Sequence, residues 1–477
     1  ESARAQSRQT RAALTGALQH RLSPSAVLAA TFYWAQADYE VPGPLTLAGA
    51  FAAPRAISAA VARDQPRREA GVIHAAAQLQ LALADATFSA GLAAQHGHDD
   101  FRQLQANGET DSRSDDLSGQ ITYARRGTVA GCVHRLLVRG IGAAGDHHQQ
   151  RFLNRNGARG TRFADLALRS ATGALSLEDL VGLRPDLTLG GGLTAVMAER
   201  ALATRTPLPG FAGPQRYHRF SPRAGLTWQT TPEVSLYTAI SHGMEPPTFD
   251  DLLTVAGTYP DLTLRGRELR SQRATTVEAG ALGAHGPWHW NVTAYRSHWT
   301  GEILHLADAE GQPRGAVNAD TTLHQGIEAT LRCRLLDHPH RLTLSATGTW
   351  SAFHFADDPV YGDQRLAGAP PHCGSAELLY EHPRGGLAAV EAVWTAGRTP
   401  VDYANLLGYG GSTLWNLRVG WHCTAQLTVL ATVRNLFDRA HIASTAGVLD
   451  RARNPAATAL FLPGNGCQWT LGLDWVF

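Results

Sequence analysis

The sequence predicts an all-β chain: a transmembrane, antiparallel up-and-down β-barrel with long extracellular loops and short periplasmic turns. Three observations predict it. About nineteen segments alternate apolar and polar residues with a period of two. Their connections alternate between short and long. All eleven tryptophans fall inside the segments. Trp288, Trp290, Trp394, Trp469 and Trp475 lie near segment ends, as aromatic girdles at the two bilayer interfaces require. Tryptophan also favours strands in general, so this third signal counts only beside the other two.

In chain order the segments begin near residues 10, 25, 67, 86, 115, 129, 174, 186, 217, 233, 272, 287, 315, 340, 373, 386, 412, 426 and 467. The clearest run from His340 to Trp350, where Leu342, Leu344, Ala346 and Trp350 share one face and Arg341, Thr343, Ser345, Thr347 and Thr349 the other. In 426–437, Leu427, Val429, Ala431 and Val433 oppose Thr428, Thr432 and Arg434. Turns such as Leu22-Ser23-Pro24, Arg184-Pro185-Asp186 and Asp337-His338-Pro339 are tight. Between them lie longer stretches at 37–66, 100–114, 144–173, 204–216, 244–271, 356–372, 398–411 and 438–465, with one brief exception near 309–314. A soluble sandwich or propeller has no reason to lengthen every second connection.

Composition narrows the class. The charged fraction, 17%, is below the roughly 25% of soluble proteins. All 42 basic residues are arginine and nearly cancel 41 acids, so no global field recruits nucleic acid. Five dispersed cysteines support neither a disulfide framework nor a zinc site. No run of about 18 apolar residues exists to form a membrane helix, but a closed barrel spans without one. The chain lacks a starting Met and a signal-peptide pattern, so it is expected to be a fragment or a mature product.

The last strand sets orientation. Thr470, Gly472, Trp475 and Phe477 resemble the C-terminal signal that the barrel-insertion machinery reads in bacterial outer-membrane proteins. That strand then runs down to the periplasm, every long loop becomes extracellular, and the first strand also runs down. Barrels with both termini in the periplasm need an even strand count. An odd number of strands is therefore expected to be missing at the front, and three give twenty-two, the size of plugged transporters.

Motifs from about residue 217 onward carry a resemblance. Ser221-Pro222-Arg223-Ala224-Gly225-Leu226-Thr227-Trp228, with Ser241-His242-Gly243-Met244-Glu245-Pro246-Pro247-Thr248, resembles a hairpin of TonB-dependent outer-membrane receptors. Glu278-Ala279-Gly280, Gln325-Gly326-Ile327-Glu328 and Val433-Arg434-Asn435-Leu436-Phe437-Asp438 resemble further strand signatures of that family, in order. Pro54-Arg55-Ala56 with Arg63, and Val401-Asp402-Tyr403-Ala404-Asn405, resemble the ferric-citrate and pyrroloquinoline-quinone receptor branch.

The resemblance implies active import of a scarce nutrient, most often a ferric siderophore. It also implies a twenty-two-stranded barrel in the outer membrane of a Gram-negative bacterium, filled by a plug on which the TonB energy-transducing complex pulls. Residues 1–477 then form the barrel domain, with the plug and first three strands outside this chain. Expected partners are the ferric ligand, the TonB complex through the plug, the barrel-assembly machinery, and outer-membrane lipid with lipopolysaccharide. No cofactor, metal or enzymatic site is expected, since no nucleophile-elbow, zincin or phosphate-loop pattern occurs.

Candidate ligand contacts lie in the long loops: Arg151, Arg155 and Arg159 in one, Arg265 and Arg267 in a second, Arg451 and Arg453 in a third. Guanidinium pairs bidentately with carboxylate, so arginines converging above a lumen suit a carboxylate-rich ferric chelate. Solvated loop charge, or contact with lipopolysaccharide phosphates, is the competing reading. Asp402 and Tyr403 are added as residues facing the ligand. His96-Gly97-His98 places two imidazoles on one side of an extended chain, a metal clamp or simply a polar rim. A passive porin of sixteen or eighteen strands, an outer-membrane enzyme, and an importer of cobalamin or a quinone cofactor are the alternatives.

Overall fold

The computed structural model describes residues 4–202, 208–211 and 213–476. Nineteen strands form one sheet. They are β1 (Gln9–Ser23), β2 (Ala26–Glu40), β3 (Arg67–Ala82), β4 (Ala86–Arg102), β5 (Glu109–Val129), β6 (Cys132–Arg155), β7 (Ala158–Arg184), β8 (Leu187–Leu202), β9 (Gln215–Thr231) and β10 (Val234–Glu245). The remainder are β11 (Gln272–His285), β12 (Trp288–Thr300), β13 (Thr321–Leu336), β14 (Arg341–Phe355), β15 (His372–Glu381), β16 (Gly386–Ala396), β17 (Thr413–His422), β18 (Leu427–Arg434) and β19 (Gln468–Trp475). Each pairs antiparallel with the next in the chain. No helix among the described residues is long and apolar enough to cross a membrane.

Cross-strand partners share a face, so the register sorts every side chain to one side of the wall. One cross-strand path runs Leu236, Ala281, Val292, Ala329, and its residues belong to the lipid-facing belt. In β19 the outward side chains Trp469, Leu471, Leu473 and Trp475 are 63–86% exposed, as a lipid face demands. Thr470 and Gly472 take the lumen face of the same strand by alternation. Phe477 lies outside the described residues.

The lumen face is polar and cross-linked. Arg223 pairs with Glu178, Arg418 with Glu377 at 2.9 Å, and Asn416 donates to Glu391 at 2.9 Å. Aromatic rings here lie over glycines of the next strand. A Cβ on Gly280 would meet Tyr237 Cζ at 2.5 Å, and one on Gly326 would meet the Tyr295 hydroxyl at 2.6 Å. The glycine of the Glu278-Ala279-Gly280 motif is thus the floor under a ring.

Three stretches differ from the sequence expectation. Residues 100–114 are mostly strand, since β4 runs to Arg102 and β5 begins at Glu109. Residues 144–173 are not a long loop. β6 and β7 continue far past the membrane as a hairpin, closed at Asn156-Gly157, both with positive φ (53° and 88°). That two-residue turn is the strand-matching type favoured by Asn-Gly. The connection near 309–314 is not brief either. A hairpin of Ile303–Ala307 and Pro313–Asn318 separates β12 from β13.

Each terminal wall strand has one neighbour. β1 pairs with β2 and β19 with β18, and the described residues contain no β1–β19 pairing. Nearly every residue of both is exposed on both faces. Above this seam the wall is bridged: Leu45–Thr46, from the first extracellular loop, pairs with Ala459–Pro463 of the last. The sheet has curled until its two ends share a roof.

Candidate functional site

Three apolar cores fold the extracellular loops into that roof. One packs Leu252, Leu253, Val255, Leu262 and Leu264 against Leu166 and Leu168 of the projecting β7. Leu166 and Leu168 stand opposite Gln149 and His147. A second gathers Leu304, Phe355, Leu366 and Tyr403. The third unites Leu45 and Ala50 with Val401, Leu449, Leu460 and Phe461. Loops distant in sequence are thereby held as one surface, because each covers apolar area that another exposes.

Polar ties join the cores. The short helix Phe249–Leu252 begins at a capping box in which Thr248 and Asp251 satisfy each other's backbone donors. Asp251 is nearly buried and shares a 2.6 Å hydrogen bond with His305 Nε2 of the next loop. Burial works against the Asp251 carboxylate, but hydrogen bonds from His305 and Thr248 outweigh it and hold its pKa below the ordinary value. The same bond to Asp251 raises that of His305. The neighbouring Asp250 acts electrostatically on His305 and on Arg151 and His147 of β6. A mixed-charge set from three elements thus meets at the mouth. Alternation hid it, since Asp250, Asp251 and His305 lie outside the wall strands; the Thr248-to-Asp251 spacing was the readable signal.

The structure disperses the residues singled out in the sequence. Arg151 stands on the lumen side of β6, with Nε donating to Gln149 at 3.3 Å and no ion pair among the described residues. Arg155 is exposed at the hairpin tip, bonded to Thr161. Arg159 does not stand over the lumen. Its three nitrogens are taken by Glu109, by Asp111 at 2.9 Å and by Asp100 at 2.6 Å, and its guanidinium lies over Phe152. Asp100 and Asp111 are paired opposite each other on the outer face, so this cluster braces the outside of the wall.

Arg267 is structural, donating to the carbonyls of Ala316 and Arg314. Arg265, on the same hairpin, alternates with buried Leu264 and is exposed. Asp402 and Tyr403 do not face outward. Asp402 is fully buried and accepts from the amides of Leu407 (2.8 Å) and Ala452 (3.1 Å). Tyr403 is 5% exposed between Phe355 and Tyr361, and burial pushes its phenol pKa up. In this structure the motif supplies a carboxylate that organises a turn and an aromatic that fills a core. Arg451 and Arg453 flank buried Ala452 and project outward, with no ion pair among the described residues.

His96 and His98 do share the outward face. They are separately engaged, His96 with Asp115 at 2.8 Å and His98 against Gly71. No metal-holding group of three His, Cys, Asp or Glu occurs among the described residues.

A family model for the TonB dependent receptor-like β-barrel matches residues 14–436. Among solved structures, the unliganded ferric citrate transporter is similar over 99% of this chain and 71% of its own, at 14% identity and a TM-score of 0.79. A siderophore receptor from Acinetobacter baumannii is similar over 98% and 74%, at 12% identity and 0.76. The ferric yersiniabactin uptake receptor of Yersinia pestis is similar over 97% and 70%, at 13% identity and 0.75. At these identities the likeness to each structure is one of fold.

Proposed function

The chain belongs to the TonB-dependent receptor β-barrel family, and from that premise we propose that it is the wall and mouth of an importer for a ferric siderophore with anionic donor groups. The family consists of outer-membrane receptors of Gram-negative bacteria that transport rather than catalyse.

The observation that carries the reading is the roof. Porins have sixteen or eighteen strands and a lumen open to water. Here nineteen strands leave the sheet unclosed, and most of the described extracellular loops consolidate through three apolar cores into one packed surface. Rigid loops lose little entropy on binding, which suits a scarce ligand taken at low concentration. Arg151, Arg265, Arg451 and Arg453 are among the loop arginines that make no ion pair among the described residues, and they are the ones we assign to ligand carboxylates.

The seam supports a further part of the proposal. All pairings are antiparallel and the count is odd, so β1 and β19 run in the same direction. Only an odd number of inserted strands joins them with antiparallel neighbours. We assign three such strands to a segment outside residues 1–477, preceded by the plug through which the TonB complex acts. The barrel-assembly machinery is the assigned reader of Thr470, Gly472, Trp475 and Phe477.

Titrating the full-length receptor with ferric chelates, followed by tryptophan fluorescence, tests the ligand. Saturable quenching by a carboxylate-bearing ferric chelate is expected. Tight binding of cobalamin or a quinone cofactor, with no response to any chelate, overturns it.

A further inference from the structure

One cation and one anion of the mouth stand near each other without pairing. On β6, His147, Gln149 and Arg151 share the lumen face, opposite Leu168, Leu166 and Ala164 of β7. Leu166 and Leu168 pack in the same core as Leu252, so the short helix Phe249–Leu252 is seated against this patch of wall. Asp250 lies exposed in the first turn of that helix.

Each charge is held in place and left over. Arg151 Nε donates to the buried Gln149 at 3.3 Å, and its two terminal nitrogens have no partner among the described residues. Burial lowers the Arg151 pKa, and Asp250 is the carboxylate that works against this. The two nevertheless stand beyond ion-pair distance. Asp250 makes no hydrogen bond or ion pair among the described residues, whereas its neighbour Asp251 is taken by the capping box and by His305. His147 does not neutralise Asp250 either, because burial lowers its pKa below the ordinary 6.5 and leaves it uncharged at neutral pH.

A guanidinium and a carboxylate held apart in a partly dried mouth discriminate by charge pattern. An anionic group alone gains from Arg151 and is repelled by Asp250, and a cationic group alone meets the reverse. Only a group with both charges a few bonds apart gains at each end. The gain is large because hydrogen bonds between ionised partners are stronger than neutral ones, and a desolvated guanidinium has more to recover than one in water.

We propose that Arg151 and Asp250 are the two poles of a site for a dipolar ligand segment, a carboxylate and a protonated amine carried on one ferric chelate. The inference rests on the reading of the mouth as a ferric-chelate receptor and narrows it from anionic to zwitterionic chelates. Arg151 donates to the carboxylate through its two free terminal nitrogens, Asp250 accepts from the ammonium, and Gln149 positions the guanidinium. Asp250 sets the specificity, because it turns away a polyanionic chelate that Arg151 alone would accept.

The test titrates the full-length receptor with one linear ferric trihydroxamate prepared in four terminal forms: amine and carboxylate, amine only, carboxylate only, and neither. Tryptophan quenching gives each affinity for the wild type, Arg151→Gln and Asp250→Asn. The wild type is expected to bind the dipolar form about ten-fold or more tighter than either singly charged form, consistent with one added charge-assisted contact. Asp250→Asn should bind the dipolar and carboxylate-only forms equally, and Arg151→Gln the dipolar and amine-only forms equally. The two variants thus fail at opposite ends of the probe, which misfolding cannot imitate. A wild type that binds the carboxylate-only form as tightly as the dipolar one overturns the proposal, as does an unaltered preference in Asp250→Asn. Saturable binding of the uncharged form tests the ferric-chelate reading separately, since it draws on neither charge.

Discussion

Asp251 and His305, 54 residues apart, share a 2.6 Å hydrogen bond that ties two extracellular loops together over the lumen. Asp251 also closes the capping box of its own short helix, so one carboxylate fixes both a local turn and a long-range contact. The mouth is thereby held by a group that titrates.

Folding raises the His305 pKa above its reference value of 6.5, so the pair's contribution is complete below that and is lost as pH rises through the folded pKa. Asp251 is held below 3.8, so its share is present above that value and is lost only as pH falls through the lowered one. Backbone amides of residues 248–253 should therefore exchange faster at pH 8.5 than at pH 5.5 after correction for intrinsic rates. The His305→Ala variant should show no such difference. Because the His305 side chain is largely exposed, the effect is expected to be local rather than global.

Asp402→Ala removes the acceptor of two buried amides and should cost the roof roughly 2–4 kcal/mol. Limited proteolysis should then cut within 398–411 or 446–456 while the barrel itself stays intact. Unchanged resistance would show that the apolar core alone holds these loops.

Gly280→Ala forces the Tyr237 ring off its seat and should destabilise the barrel by about 1–3 kcal/mol. Combined with Tyr237→Ala, the penalty should disappear. Urea unfolding in lipid vesicles reads both, and simple additivity of the two changes would contradict a stacked pair.

Arg451→Gln/Arg453→Gln should weaken chelate binding by about ten-fold, in line with loss of charge-assisted hydrogen bonds. Tyr403→Phe should leave affinity unchanged, since its hydroxyl makes only a 3.4 Å contact to the His305 carbonyl. Equilibrium titration distinguishes the two, and a loss confined to Tyr403→Phe would reverse the assignment.

The wall was legible because a lipid-bathed strand has a period of two with little competing signal. Residues such as Trp469 to Trp475 declare their face directly. Boundaries failed where strands leave the membrane. Above the belt, β6 and β7 stop alternating apolar and polar, and only Asn156-Gly157 marked the hairpin. The roof was less legible for a different reason. Asp402 and Tyr403 look like a ligand-facing pair, but their burial is decided by loops far away in sequence: Leu45 joins Val401 in one core, and Leu304 and Phe355 join Tyr403 in another. Arg159 and Arg451 are alike in sequence, and only the fold shows that three carboxylates claim the first.

Radioiron uptake by cells expressing the complete gene tests the central claim most directly. Uptake of the quenching chelate should saturate, and should stop when a protonophore collapses the inner-membrane gradient or when TonB is deleted. Uptake that rises linearly with chelate concentration and survives both treatments would mean a passive pore and would contradict the account.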